Sequence, residues 1–159
     1  MANPEQEIGD LLREKGLTLG VVESATGGLI SHMVTSAPNS SDYYKGSVTA
    51  YSNEAKINIV GVKFETINKY GAVSPQVAKE LARGGIKILG VDICISDTGI
   101  AGPGGATPGK PVGLFYMGLA HRSKTYSQQH IFERDREQNK TSAAEAALSW
   151  LKEYLMKMK

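Results

Sequence analysis

Hydrophobic and polar positions recur along the chain with two alternating periods, one suited to helices and one to strands. Over residues 4–15, Ile8, Leu11 and Leu12 share one helical face, and Gly16 follows as a stop. Residues 17–23 read as a buried strand that breaks at Ser24-Ala25-Thr26-Gly27-Gly28, after which residues 29–35 resume helical spacing. Residues 46–51 suit a second strand, and Asn53 is the expected N-cap of a short helix. The pattern over 75–89 predicts a helix with Pro75 in its first position, Ser74 as cap, and Val77, Leu81 and Ile88 in one stripe. Residues 91–96 predict a central strand, followed by the glycine-dense loop 99–109, strands over 112–121 and 124–132, and a last helix over 141–158. That helix would bury Ala144, Leu148, Leu151 and Leu155. Strands interleaved with helices predict one α/β domain over residues 1–159, with helices covering a mixed sheet.

Composition narrows the picture by exclusion. The 159 residues are 41% hydrophobic and 21% charged, ordinary for a globular protein. No apolar run is long enough for a membrane span, and the N-terminus lacks the pattern of a secretory signal. A single cysteine, Cys94, offers neither an internal disulfide nor a thiolate metal site and reads as a small core residue. These features predict a cytoplasmic protein. The net charge of +2, from 18 basic and 16 acidic residues, shows no basic stripe of the kind that binds nucleic acid. His32, His121 and His130 are scattered, so neither a metal nor another cofactor is expected. Trp150 and Tyr154 on the last helix read as core or interface anchors.

Four segments could carry chemistry. Glycines after the first strand let backbone N–H groups approach an anion at a helix start, although the same residues also make a tight structural turn. The Ser40-Ser41 pair, Tyr51 and Lys56 could supply a nucleophile, a relay and a base, provided the lysine is held neutral by burial or nearby positive charge. A turn-forming serine pair and a solvated lysine would leave the same trace. The loop from Thr98 through Gly99, Ala101 and Gly102 could cradle a phosphate or an oxyanion, or simply connect two strands. Arg136 could grip a phosphate with its planar fork, or pair with neighbouring surface charges.

Taken together, ESATGGLI at 23–30, SSDYYKGSVTAYSNEAKINIVGV at 40–62, YGAVSPQVAKELARG at 70–84, TGIAGPGGATPGKPVG at 98–113 and DREQNKTSAAEAAL at 135–148 resemble the CinA C-terminal domain family, the nicotinamide-nucleotide amidohydrolases. They stand in family order across almost the whole chain. The resemblance implies a three-layer α/β/α sandwich with a mixed sheet, in its stand-alone form. It implies hydrolysis of the carboxamide of nicotinamide mononucleotide to nicotinate mononucleotide and ammonia, a step of pyridine nucleotide salvage. By motif, Ser41 is the nucleophile, with Ser40 taking its place if the alignment slips by one residue; Lys56 is its base and Tyr51 completes the relay. Ser24, with Thr26 and Gly27 of the same turn, contacts substrate or supports the reacting amide. Thr98, Gly99, Ala101 and Gly102 line the nucleotide pocket, and Arg136 is the cationic partner. The sequence departs from the family at Ala25, where a cysteine is frequent, and at Arg134, where the family's GDR segment has glycine. Two rivals share these motifs: a non-catalytic nucleotide-binding module tied to competence or DNA damage, and an amidase for another small amide. The resemblance and the apolar helices are compatible with a homodimer.

Overall fold

The computed structural model describes residues 3–158. Five strands, β1 (Leu19–Glu23), β2 (Tyr44–Thr49), β3 (Ile93–Gly99), β4 (Leu114–His121) and β5 (Lys124–Ile131), form one sheet in the order β2-β1-β3-β4-β5. β1 pairs in parallel with β2 and β3, whereas β4 and β5 add on antiparallel, so the sheet is mixed. Side chains alternate across such a sheet, and both faces here are apolar. Val21 and Ile95 point into one core, against Ile8 and Leu12 of α1 (Pro4–Lys15), Ile30 of α2 (Leu29–Thr35), and Leu148 and Leu151 of α6 (Arg136–Lys157). Val22 and Cys94 point into the other, against Val77 and Leu81 of α5 (Pro75–Leu89). The result is the three-layer α/β/α sandwich. Among the described residues, no helix is long and apolar enough to cross a membrane.

Local signals set most element ends. The Asn3 side chain caps α1, Gly16 closes it in the left-handed region at φ 65°, and Ser74 caps α5. Elsewhere the structure corrects the sequence reading. The cap of the short helix α3 (Asn53–Ala55) is Ser52, whose hydroxyl accepts the Ala55 N–H, not Asn53. The last helix starts at Arg136 and not at Thr141, because Asp135 caps it through the Gln138 N–H. Ile88 is exposed; the last turn of α5 delivers Ile86 and Leu89 to the core instead. A further helix, α4 (Phe64–Tyr70), has too few apolar positions to show a stripe and packs through Ile67.

One departure from regular helix fixes the position of a lysine. After α3 the chain continues through Lys56–Val60 as a single π-helical turn, ended by Gly61 at φ 88°. Gly84 of α5 lies directly beneath it, and a Cβ there would collide with the Val60 carbonyl. The absent side chain lets the helix and the turn close on each other, and the turn holds Lys56 at a fixed height above the end of β1.

Candidate active site

The end of β1 is built around two buried carboxylates. Glu23 accepts the N–H groups of Gly28 and Ile30 on Oε1, at 3.1 and 2.9 Å, and that of Ser31 on Oε2 at 2.9 Å. Asp97 of β3 accepts the Ser24 N–H on Oδ1 at 3.0 Å and the Thr26 N–H on Oδ2 at 3.1 Å. The N–H groups expected to receive an anionic ligand are therefore occupied by the protein's own acids. Thr26 is buried, with its hydroxyl on both carboxylates, so it supports the turn rather than touching a ligand. Gly27 faces an open hollow of about 510 Å³ with Gly28, His32 and Lys140. That hollow is larger than the cavity beside Ser24, but its two threonine hydroxyls are taken, Thr26 by the carboxylates and Thr141 by the Glu137 carbonyl, and the Gly28 amide on its wall is taken by Glu23.

Fixed in this way, Ser24 presents its hydroxyl to Lys56. Lys56 is 2% exposed, and its Nζ donates to Ser24 Oγ at 2.9 Å and to the backbone carbonyls of Ala50 and Tyr51 at 3.0 and 2.9 Å. As an ammonium, its three hydrogens meet three acceptors. As an amine, it keeps two hydrogens on the carbonyls and turns its lone pair to the Ser24 hydroxyl. The same cage thus suits both protonation states, as an acid–base group requires. Burial pushes the Lys56 pKa below that of an ordinary lysine, and the negative charge of Asp97 works against that shift. Burial also pushes Asp97 up to about 6, partly offset by hydrogen bonds from Thr26 and Ser24.

A cavity of about 230 Å³ opens beside this pair, walled by Ala25, Tyr51, Ala72, Thr98, Ala101 and Arg136, among others. Buried Asn139 fixes one wall, donating to the Ala101 carbonyl at 3.0 Å, while its Oδ1 accepts the Arg134 N–H. Arg136 reaches over the mouth, donating to the Gly102 carbonyl at 2.8 Å and to the Tyr51 hydroxyl at 3.3 Å. Thr98 lines the cavity too, but its hydroxyl is taken by the Ala72 carbonyl at 2.8 Å. Among the described residues, no group of three His, Cys, Asp or Glu side chains is placed to hold a metal ion.

The expected residues are thus partly assembled. Ser24, Tyr51, Lys56, Thr98, Gly99, Ala101 and Arg136 surround one cavity. Ser41 does not join them. It lies with Ser40 in a 3₁₀ turn before β2, whereas Lys56 is held by carbonyls that follow β2. The six residues of β2 separate the two positions by roughly 20 Å. The serine that Lys56 meets is Ser24. Tyr51 contributes its carbonyl to Lys56, and its 63%-exposed phenol turns to Arg136 instead of forming a relay. Gly102 contributes a carbonyl that anchors Arg136. Sequence reasoning missed Glu23, Asp97 and Asn139 as supports. The one available signal was a carboxylate ending each of two apolar strands, since buried acids are rare without partners.

The family model for the CinA C-terminal domain matches residues 1–155. A putative competence-damage inducible protein of Halothermothrix orenii is 51% identical over 152 residues, covering 94% of this chain and 36% of the relative. A CinA-like protein of Salinibacter ruber is 48% identical over 144 residues, covering 91% of this chain and 35% of that protein. The chain therefore spans little more than a third of the length of these curated relatives. Among solved structures, the competence damage-inducible protein A of Klebsiella pneumoniae matches with a TM-score of 0.95 at 30% identity, covering 98% of this chain and 97% of that one. The competence/damage inducible protein CihA of Agrobacterium tumefaciens matches with a TM-score of 0.88 at 29% identity, covering 99% and 98%.

Proposed function

The chain belongs to the CinA C-terminal domain family, and on that premise we propose that it is an amidohydrolase converting nicotinamide mononucleotide to nicotinate mononucleotide and ammonia, with Ser24 as nucleophile and Lys56 as base. The observation that carries this reading is the 2.9 Å approach of a buried lysine amine to a serine hydroxyl at the wall of a small cavity. In the proposed reaction Ser24 Oγ attacks the carboxamide carbon while its proton passes to Lys56 Nζ. The backbone N–H groups of Ala25 and Ala101, on the cavity wall, are the donors we assign to the developing oxyanion, since the Ser24 and Ile100 N–H groups are held by Asp97 and the Leu114 carbonyl. The C–N bond then breaks as Lys56 returns the proton to the leaving nitrogen, giving ammonia and an acyl ester on Ser24. Water attacks that ester with Lys56 again as base, and the proton returns to Ser24 as the acid leaves.

The substrate assignment rests on the shape and charge of the cavity together with the family's chemistry. The cavity of about 230 Å³ beside Ser24 has room for a carboxamide, and Arg136 at the mouth offers a planar cation to a phosphate outside it. The positive charge of a pyridinium ring makes its carboxamide carbon more electrophilic, which favours attack by an alcohol. The test is incubation of purified protein with nicotinamide mononucleotide while ammonia and nicotinate mononucleotide are followed. Stoichiometric products from wild type, lost in Ser24→Ala and Lys56→Met and kept in Ser40→Ala and Ser41→Ala, are the expected result. Nucleotide binding without turnover by wild type would replace the enzyme with a binding module.

A further inference from the structure

Two buried acids take no direct part in the proposed reaction, and their geometry contains a hydrogen that a simple count misses. Thr26 Oγ1 lies 2.6 Å from Glu23 Oε1 and 2.5 Å from Asp97 Oδ1. Each of these O···O distances is that of a hydrogen bond, so each needs its own hydrogen. A threonine hydroxyl supplies one, and ionised carboxylates supply none. The second hydrogen must therefore sit on a carboxyl. Glu23 already accepts three backbone N–H groups and Asp97 two, which places the extra proton on Asp97. The chain of hydrogen bonds then runs from Asp97 Oδ1–H to Thr26 Oγ1, and from Thr26 Oγ1–H to Glu23 Oε1.

The same Asp97 carboxyl grips the peptide on both sides of Ala25, through the N–H groups of Ser24 and Thr26. We propose that Asp97 is a positioning residue of the site: its buried carboxyl sets the place of Ser24 and, by giving up the proton it shares through Thr26 with Glu23, sets a negative charge that governs how readily Lys56 releases its own proton. The inference rests on the assignment of Ser24 and Lys56 as nucleophile and base. The charged groups facing Asp97 are Glu23 from β1 and Lys56 from the π-helical turn. The other elements on this face of β3 present apolar side chains, Met117 across from Asp97 on β4 and Ala143 and Ala144 from α6. Burial, the first cause of the upward displacement of the Asp97 pKa, acts in the same direction as the geometry.

The experiment is a titration of Lys56 by the ¹³Cε resonance of its side chain, run on the wild-type chain and Asp97→Asn, alongside the pH dependence of kcat and KM for nicotinamide mononucleotide. An asparagine cannot ionise, so the Lys56 midpoint should move down by roughly one pH unit or more, and the ascending limb of kcat should move with it while KM changes little. Loss of packing alone would lower kcat without moving either midpoint. A folded Asp97→Asn protein whose Lys56 titrates as in wild type would overturn the proposal. Should that variant fail to fold, wild type alone decides. The Asp97 carboxyl resonance should titrate above about pH 5, well over an ordinary aspartate, with a concerted step in the Lys56 signal; a midpoint in the ordinary range, or no step, overturns the proposal. Because the resonances report without substrate, a moved Lys56 midpoint in a protein that leaves the nucleotide intact supports the coupling and overturns the reaction instead.

Discussion

Lys56 Nζ and Ser24 Oγ meet at 2.9 Å across a separation of 32 residues, on a contact made by the crossover from β1 to β2 and the π-helical turn beyond it. Neither residue could reach the other if the chain after β2 continued straight into a regular helix of arbitrary direction. Ser52 caps α3 and the Ala50 and Tyr51 carbonyls receive the amine, so the turn is braced on the same few residues that hold the base.

Activity should separate two serines. Ser24→Ala should lower kcat by roughly a thousandfold or more, as removal of a nucleophile does, while Ser41→Ala should leave it within about twofold, the effect of an exposed substitution remote from the site. Steady-state ammonia release measures both.

Lys56→Arg should be as inactive as Lys56→Met. A guanidinium stays protonated throughout the accessible pH range and offers no lone pair to the Ser24 hydroxyl. For wild type, activity should rise with pH as Lys56 loses its proton, with a midpoint below that of an ordinary lysine because burial disfavours the ammonium. A profile flat across the neutral and mildly alkaline range would argue against a lysine base.

Stability should carry the mark of Asp97. Its folded-state pKa lies above the unfolded value of 3.8, at about 6. A raised carboxyl contributes its full share below the unfolded pKa and loses it as pH climbs through the folded one. Between about pH 4 and 7 the unfolding free energy of Asp97→Asn should therefore gain on that of wild type by roughly 3 kcal/mol. Urea melts at several pH values measure the gap.

Gly84→Ala should cost about 1–3 kcal/mol by forcing α5 away from the Val60 carbonyl. Because Val60 ends the turn that carries Lys56, kcat should fall along with thermal stability. A stability loss with unchanged kcat would mean that the turn adjusts without moving the amine.

Arg136→Ala should raise KM more than it lowers kcat, since its guanidinium stands at the cavity mouth, away from the reacting atoms. Arg136→Lys should not restore binding, because a lysine cannot bond the Gly102 carbonyl and the Tyr51 hydroxyl with one planar fork.

How far the residues announced this site depends on the range of the interactions. Amphipathic helices such as α5, with Ser74 before Pro75, were legible because their signals are local. The cavity wall from Thr98 to Ala101 was legible because glycines after a buried strand mark close backbone approach. The identity of the nucleophile was not. Ser41 is nearer to Lys56 in sequence, yet β2 carries the chain the full depth of the sheet between them, and a strand of this kind reverses what sequence distance suggests. Ser24 comes into place through a parallel pairing of β1 with β2, which depends on partners far along the chain. Glu23 and Asp97 stayed hidden for the same reason: each looks like a polar residue ending a strand until its neighbour on the adjacent strand is known.

The carbonyls that cradle the Lys56 amine belong to the main chain of Ala50 and Tyr51, and every amino acid has one. A substitution scan at exposed Tyr51 can change size, charge and aromaticity without deleting its acceptor, whereas Ala50 is fully buried in the core with Val22 and Val77 and is held by its packing. Extended to the whole site, such a scan would find Lys56 and Ser24 intolerant and position 51 permissive for the amine contact, and so make the pair look isolated. Sequence drift at position 51 is therefore compatible with a fixed geometry at Lys56, and comparison of side chains alone would underestimate how much of the molecule serves it.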